Sequence, residues 1–170
     1  TENRFKDEGV HLNNFATFAS GEKIIKSICM QELRNDLYLG FLTKLGQIKR
    51  MCTDQLDFLK HSRPVRCMRL LGDDEVVGVQ VLSGNSDLLV LTSNGNATLF
   101  NENELTPLGN KAGGVKSVAG IGKNSAVALV AVNEGESAKI VVITDKGHQR
   151  VINTRELTRT ARLGKTQEIC

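Results

Sequence analysis

The 170-residue sequence has no tryptophan, one tyrosine and 4% aromatic residues. A platform that stacks single-stranded bases needs several exposed aromatic faces, so that function is poorly supported. The WD dipeptide of one large propeller class is impossible without tryptophan. Apolar runs are short; none approaches the ~20 residues of a membrane span, and no signal-peptide pattern opens the chain. Cys29, Cys52, Cys67 and Cys170 form no Cys-x-x-Cys pair and lack histidines at ligand spacing, which favours reduced thiols over a zinc site. His11, His61 and His148 are scattered with no nucleophile pattern nearby. No Gly-x-x-x-x-Gly-Lys-Ser/Thr loop is present, so ATP binding is not expected in this chain.

What the sequence does contain is a block repeated three times: LYLGFLTKLGQIKRMCTDQL (from Leu37), DLLVLTSNGNATLFNENEL (from Asp87) and AKIVVITDKGHQRVINTREL (from Ala138). Each is an apolar run, then Thr-x-x-Gly, then a mixed segment closed by leucine. Thr43, Thr92 and Thr144 are 49 and 52 residues apart, and Leu56, Leu105 and Leu157 each lie 13 residues after their threonine. Upstream of each block sits another apolar element, EKIIKSI (from Glu22), DDEVVGVQVL (from Asp73) and KNSAVALVAV (from Lys123). Before these, PVRCMRL (from Pro64) and GVKSVAG (from Gly114) correspond, with GVHL (from Gly9) a weaker match. A period near 50 residues with four short extended segments and no long helical periodicity predicts four-stranded sheets stacked side by side.

Leu88–Leu91 and Ile140–Ile143 are apolar at successive positions, which predicts strands buried on both faces. Glycine supplies positive φ to the tight turn without steric cost, and Asn94-Gly95 is a strong hairpin signal. In the returning segments the polar residues Lys49, Thr98 and Arg150 share parity with the apolar Met51, Phe100 and Ile152. An intervening bulge or strand end is the expected explanation. The fold expected is all-β and propeller-like, with about three four-stranded antiparallel blades near 9–56, 64–105 and 114–157. Residues 158–170 would lead into a further blade or the end. Closed propellers typically need four to eight blades, so an open arc or part of a larger disc is expected; the start at Thr1 suggests a fragment.

The net charge of +3 conceals segregation: residues 43–71 and 138–165 each carry +5, whereas 87–121 carry −1. Asp73-Asp74-Glu75 adds three negative charges in one turn. Equivalent turns of stacked blades emerge on one rim, so a basic rim facing a polyanion is expected, with the acidic turns elsewhere. The plainer alternative is that these charges solvate strand edges and discourage edge pairing.

DLLVLTSNGNATLFNENELTPLGNKAGGVKSV resembles, nearly end to end, a blade of the C-terminal domain of the A subunits of bacterial type IIA topoisomerases. Thr43 to Arg50 and Ala112 to Lys116 carry the same pattern, and the likeness covers essentially the whole chain. It implies a β-pinwheel, a disc whose blades exchange strands and which binds and bends duplex DNA around a basic perimeter. The gyrase branch carries a Gln-Arg-Arg-Gly-Gly-Lys-Gly heptad, which is absent. Its nearest counterpart, Arg159-Thr-Ala-Arg162-Leu-Gly164-Lys165, resembles the degraded versions of topoisomerase IV. That favours the topoisomerase IV branch of the Gram-positive type, with gyrase as the alternative and a propeller-type protein-interaction scaffold as a second.

The resemblance implies no catalysis or cofactor in this domain. The strand-breaking tyrosine of such enzymes lies in a separate region, so Tyr38 is expected in a core or seam. ATP and Mg belong to the parent enzyme, whose ATPase sits on the B subunit of an A2B2 heterotetramer. The domain alone is expected to be monomeric. The location expected is the bacterial cytoplasm, at the nucleoid, with peripheral membrane association of the holoenzyme left open. Candidate DNA contacts are Lys44 and Lys146 in the turns and Lys49, Arg50 and Arg150 on the returning strands. Arg63, Arg66, Lys111, Lys116, Arg159, Arg162 and Lys165 follow the strands. Some of these are expected along inter-blade seams with their heads paired. Such contacts would act by releasing counterions, with steep salt dependence and little sequence preference. Bending 20–30 base pairs costs about 1–6 kcal/mol, so several must act together.

Overall fold

The computed structural model describes residues 8–14, 18–57 and 64–169. Among them are ten strands, a few 3-10 turns and no α-helix. Three hairpins come directly from the repeated block: β1 (Tyr38–Thr43) with β2 (Gln47–Cys52), β4 (Ser86–Thr92) with β5 (Asn96–Asn101), and β8 (Lys139–Ile143) with β9 (Gln149–Asn153). The Thr-x-x-Gly signature has one geometry throughout. The glycine N–H donates to the threonine carbonyl at 2.9, 3.0 and 2.9 Å for Gly46, Gly95 and Gly147. These glycines have φ of 79°, 77° and 78°, a region that a Cβ disfavours. The threonine hydroxyl closes the first and third turns by accepting from Gln47 N and His148 N.

The remaining strands complete these hairpins from further along the chain. β3 (Val76–Leu82) pairs with β1, and the two-residue β6 (Val115–Lys116) pairs with β2, giving the order β3-β1-β2-β6. In the second sheet β7 (Ala126–Asn133) pairs with β4 and β10 (Gln167–Glu168) with β5, giving β7-β4-β5-β10. Each complete sheet is thus a hairpin, the upstream element of the next sequence unit, and a short outer strand from beyond that. The third hairpin stands as a two-stranded sheet. Conversely, Glu22–Ile28 and Pro64–Leu70, which correspond in sequence to the flanking strands, form none. The bulges lie on the other side of the hairpin from the returning strand, between Leu42 and Thr43 and between Leu91 and Thr92, where β1 and β4 meet β3 and β7. The returning strands are regular.

The sheets stack face to face. Leu42, Ile48 and Leu82 of the first sheet pack against Leu88, Val90 and Phe100 of the second. The opposite face of the second sheet, Leu89, Leu91 and Leu99, packs against Ile140, Val142 and Ile152 of the third hairpin. Leu39, Phe41 and Met51, on the far face of the first sheet, are covered by Met68, Ile28 and Met30. β4 is therefore buried on both faces, as its run of apolar residues requires. β8 departs from that expectation: Val141 and Ile143 are 55% and 68% exposed, because one face only meets a neighbouring sheet. Gly114 allows the short outer strand to approach; a Cβ there would lie 2.7 Å from both Ile48 O and Met68 Cε.

Candidate nucleic-acid interface

The hairpin turns lie along one rim. Lys44 O, in the first turn, accepts from Ala126 N at 2.8 Å, and Ala126 pairs with Thr92 at the second turn. Ile169 N donates to Gly95 O of the second turn at 2.8 Å, and Ile169 O accepts from Arg150 Nη1, just beyond the third turn, at 2.6 Å. Lys146, in the third turn, is exposed. Lys44 is half-exposed but held at 2.8 Å by Glu75. That bond raises the ammonium pKa and lowers the carboxyl pKa. The acidic loop expected elsewhere therefore sits against this turn. Thr43 pairs with Val76, so the loop that precedes β3 must meet the turn that follows β1. Asp74 is buried there and accepts from Leu45 N at 2.9 Å.

Two candidates on β2 are not at the rim surface. Lys49 is 1% exposed, and its ammonium donates to Cys67 O, Gly109 O and Ala112 O at 2.6, 2.7 and 3.2 Å. Burial lowers its pKa. The parity shared with Met51 now has its reason: a lysine whose stem packs with the core and whose head meets carbonyls occupies the inward position. Arg50 is also buried, paired with Glu102 at 3.1 Å and bonded to Asn103 Oδ1 at 3.1 Å, with its guanidinium 4.4 Å from the Tyr38 ring centroid. Tyr38 is thus a seam residue. Arg50 ties the first sheet to the segment that follows β5 of the second, Lys49 ties β2 to the connections at Cys67 and at Gly109 and Ala112, and neither is available to a phosphate.

The post-strand candidates divide. Arg63 lies outside the described residues. Arg159 is bound by Asp87 and Glu134, chiefly through its hydrogen bond to Asp87, which raises its pKa. Arg162 donates to Lys116 O, and its own N–H is capped by Glu104 at 2.7 Å. Arg66, Lys111, Lys116 and Lys165 are exposed. Their side chains make no hydrogen bond or ion pair among the described residues. Three of them converge: Arg69 N donates to Ala112 O at 3.1 Å, and Lys49 ties Cys67 to Gly109 and Ala112. Arg66, Lys111 and Lys116 therefore lie on adjoining segments at the outer edge of the first sheet. Arg69, exposed on the same segment, joins them but was not among the candidates. Its place in the +5 stretch of residues 43–71 was the available signal. The buried Cys52 thiol and the half-buried Cys67 thiol have raised pKa values, mainly through desolvation, which keeps them protonated.

Comparison with known proteins gives this architecture its family. The model of the DNA gyrase C-terminal domain, beta-propeller, matches residues 38–83 and 86–134, over half of the chain. This chain belongs to that family. Relatives include the A subunit of DNA topoisomerase 4 from Bacillus subtilis (strain 168), 30% identical over 159 residues, covering 94% of this chain and 20% of the relative. The A subunit of DNA gyrase from Staphylococcus epidermidis (strain ATCC 12228 / FDA PCI 1200) is 26% identical over 161 residues, covering 94% and 18%. The crystal structure of the C-terminal domain of DNA topoisomerase IV superposes with a TM-score of 0.87 at 28% identity, covering 98% of this chain and 51% of that one. The DNA gyrase A C-terminal domain has a TM-score of 0.76 at 18% identity, over 95% and 53%, a likeness of fold. The chain spans about a fifth of its curated relatives' length. Within this family the exchanged strands of β3, β6, β7 and β10 make the architecture a β-pinwheel.

Proposed function

We propose that this chain is a duplex-DNA-binding and DNA-bending module from the A subunit of a type IIA topoisomerase, of the topoisomerase IV type, without catalytic chemistry of its own. The observation that carries the reading is the convergence of the exposed Arg66, Arg69, Lys111 and Lys116 at the outer edge of the first sheet. Family membership supports it. The topoisomerase IV branch is supported by the 30% identical relative, the 28% identical structure and the missing heptad. Lys146 and Lys165 extend the cationic surface, and phosphate neutralisation along it would hold a curved duplex. In the whole protein, the B subunit would supply ATP hydrolysis with Mg, and the module would present DNA to the strand-passage gate in the bacterial cytoplasm.

The test is a Lys111→Glu/Lys116→Glu variant titrated with linear duplexes of unrelated sequence over a range of salt. Affinity should fall uniformly across sequences, and the salt slope should flatten by about 1 per lost contact. The melting temperature should not move. Wild-type affinity in the variant would overturn the interface. A wild-type chain with no salt-dependent DNA binding would favour a protein-interaction scaffold. In a nicked-plasmid ligation assay, weak bending without trapped positive writhe is expected; strong positive wrapping would shift the chain to the gyrase branch.

A further inference from the structure

Among the described residues, the surface candidates whose side chains lack a backbone-carbonyl partner fall into two electrostatic classes. Arg66, Lys111, Lys116, Lys146 and Lys165 are exposed and unpaired among the described residues. Lys44 and Arg159 are also at the surface, but each is held by carboxylates that long-range folding delivers. Glu75 reaches Lys44 from 31 residues away at 2.8 Å. Its position is built rather than incidental: Lys44 N donates to Glu75 O at 2.8 Å, and Asp74 Oδ1 accepts from both Leu45 N and Glu75 N at 2.9 Å. In the second unit, the same backbone bond joins Ser93 N to Ser125 O at 2.8 Å, with hydroxyls in place of the ion pair. Arg159 is gripped more fully. Its Nε donates to Asp87 Oδ1 at 2.9 Å, a second nitrogen meets the same oxygen, and Glu134 Oε1 lies at 3.5 Å. Asp87 is further oriented by Asn101 Nδ2 at 3.3 Å, and Glu134 by Asn85 Nδ2.

We infer that Glu75 and the Asp87–Glu134 pair act as intramolecular competitors of DNA phosphate, withholding Lys44 at the turn rim and Arg159 beside β5 at the other end of the second sheet, and so setting how tightly the chain grips a duplex. A phosphate that engages either cation must displace a carboxylate already in place, so these two sites contribute less counterion release than an unpaired lysine does. The domain then binds duplex DNA through the outer edge and holds two further contacts in reserve. A domain that must release and re-engage segments is served by such moderated affinity. This inference rests on the DNA-binding reading above.

The experiment uses fluorescence anisotropy with a labelled linear duplex, comparing the chain with Glu75→Gln, Asp87→Asn/Glu134→Gln and Asp73→Asn. Asp73 is exposed in the same loop as Glu75 and makes no ion pair among the described residues, so its loss changes net charge without freeing a cation. Each freed cation that gains one phosphate steepens the log–log salt slope by about 0.9, an additional loss of about 3.5-fold in affinity between ~50 and ~200 mM salt. Glu75→Gln and the double variant should bind more tightly at low salt with steeper slopes, and Asp73→Asn should leave the slope unchanged. Equal slopes in all four proteins, or equal steepening in Asp73→Asn, would overturn the competition while leaving DNA binding intact. Absence of salt-dependent binding by the unsubstituted chain would overturn both.

Discussion

The buried pair between Arg50 and Glu102 makes a strong demand on stability. Glu102 stands where the other two units have Thr53 and Thr154. Those hydroxyls accept from Arg34 N and Ala138 N at 2.9 and 3.0 Å, and Glu102 Oε1 likewise accepts from Ser86 N at 2.6 Å. Its extra length lets the second oxygen reach Arg50 at 3.1 Å, with side-chain exposures of 0% for Glu102 and 8% for Arg50. Arg50→Leu leaves a buried carboxylate with one backbone partner. Glu102→Thr keeps the Ser86 bond but leaves a buried guanidinium, whose Nε already lacks a partner. Each single change should cost about 3–5 kcal/mol, because an uncompensated buried charge remains. That is a large share of the ~5–15 kcal/mol expected for a domain, and would lower Tm by roughly 6–20 °C at this size.

Arg50→Leu/Glu102→Thr removes both charges together and restores the arrangement of the other units. Its residual cost is the lost contact with Tyr38, about 2 kcal/mol or less, together with the lost hydrogen bond to the exposed Asn103. Urea unfolding of the four proteins, followed by circular dichroism, measures the cycle. The double variant should be more stable than either single one. A double variant destabilised by the sum of the singles would refute the coupling and, with it, the idea that this pair ties the two sheets as one charge-balanced unit.

Thr98 occupies the place of Lys49 and Arg150, yet its buried hydroxyl has no hydrogen-bond partner. Thr98→Val should therefore raise stability by about 1 kcal/mol in the same unfolding assay. Lys49→Met deprives three carbonyls of their donor and should destabilise by about 2–4 kcal/mol. DNA affinity per folded molecule should stay unchanged, in contrast to Lys111→Glu/Lys116→Glu. In Lys44→Ala, the Glu75 carboxyl should titrate closer to its ordinary 4.5, which NMR titration of the side chain would read. The sign follows from the two shifts. The pair's contribution is present above the unfolded carboxyl value of 4.5 and is lost as pH falls through the lowered folded one. At the alkaline end it is present below the unfolded ammonium value of 10.5 and lost as pH rises through the raised folded one. An unmoved Glu75 would show that the pair is absent in solution.

The sequence by itself determined the three hairpins, their fifty-residue spacing and the family. Turn chemistry is local: threonine, two intervening residues and a positive-φ glycine close the same bonds wherever the chain goes. It also carried one unread sign of the interior, the parity that Lys49 shares with Met51. Only the tertiary structure decided which strand completes which hairpin, and so which cations reach solvent. Cys67 and Gly109 meet Lys49, Glu102 meets Arg50, and Glu75 meets Lys44 across 18 to 60 residues. Lysine and arginine have apolar stems and charged heads, so their identity is compatible with a seam or a surface. The choice is made by which carbonyls and carboxylates the exchanged strands bring within reach.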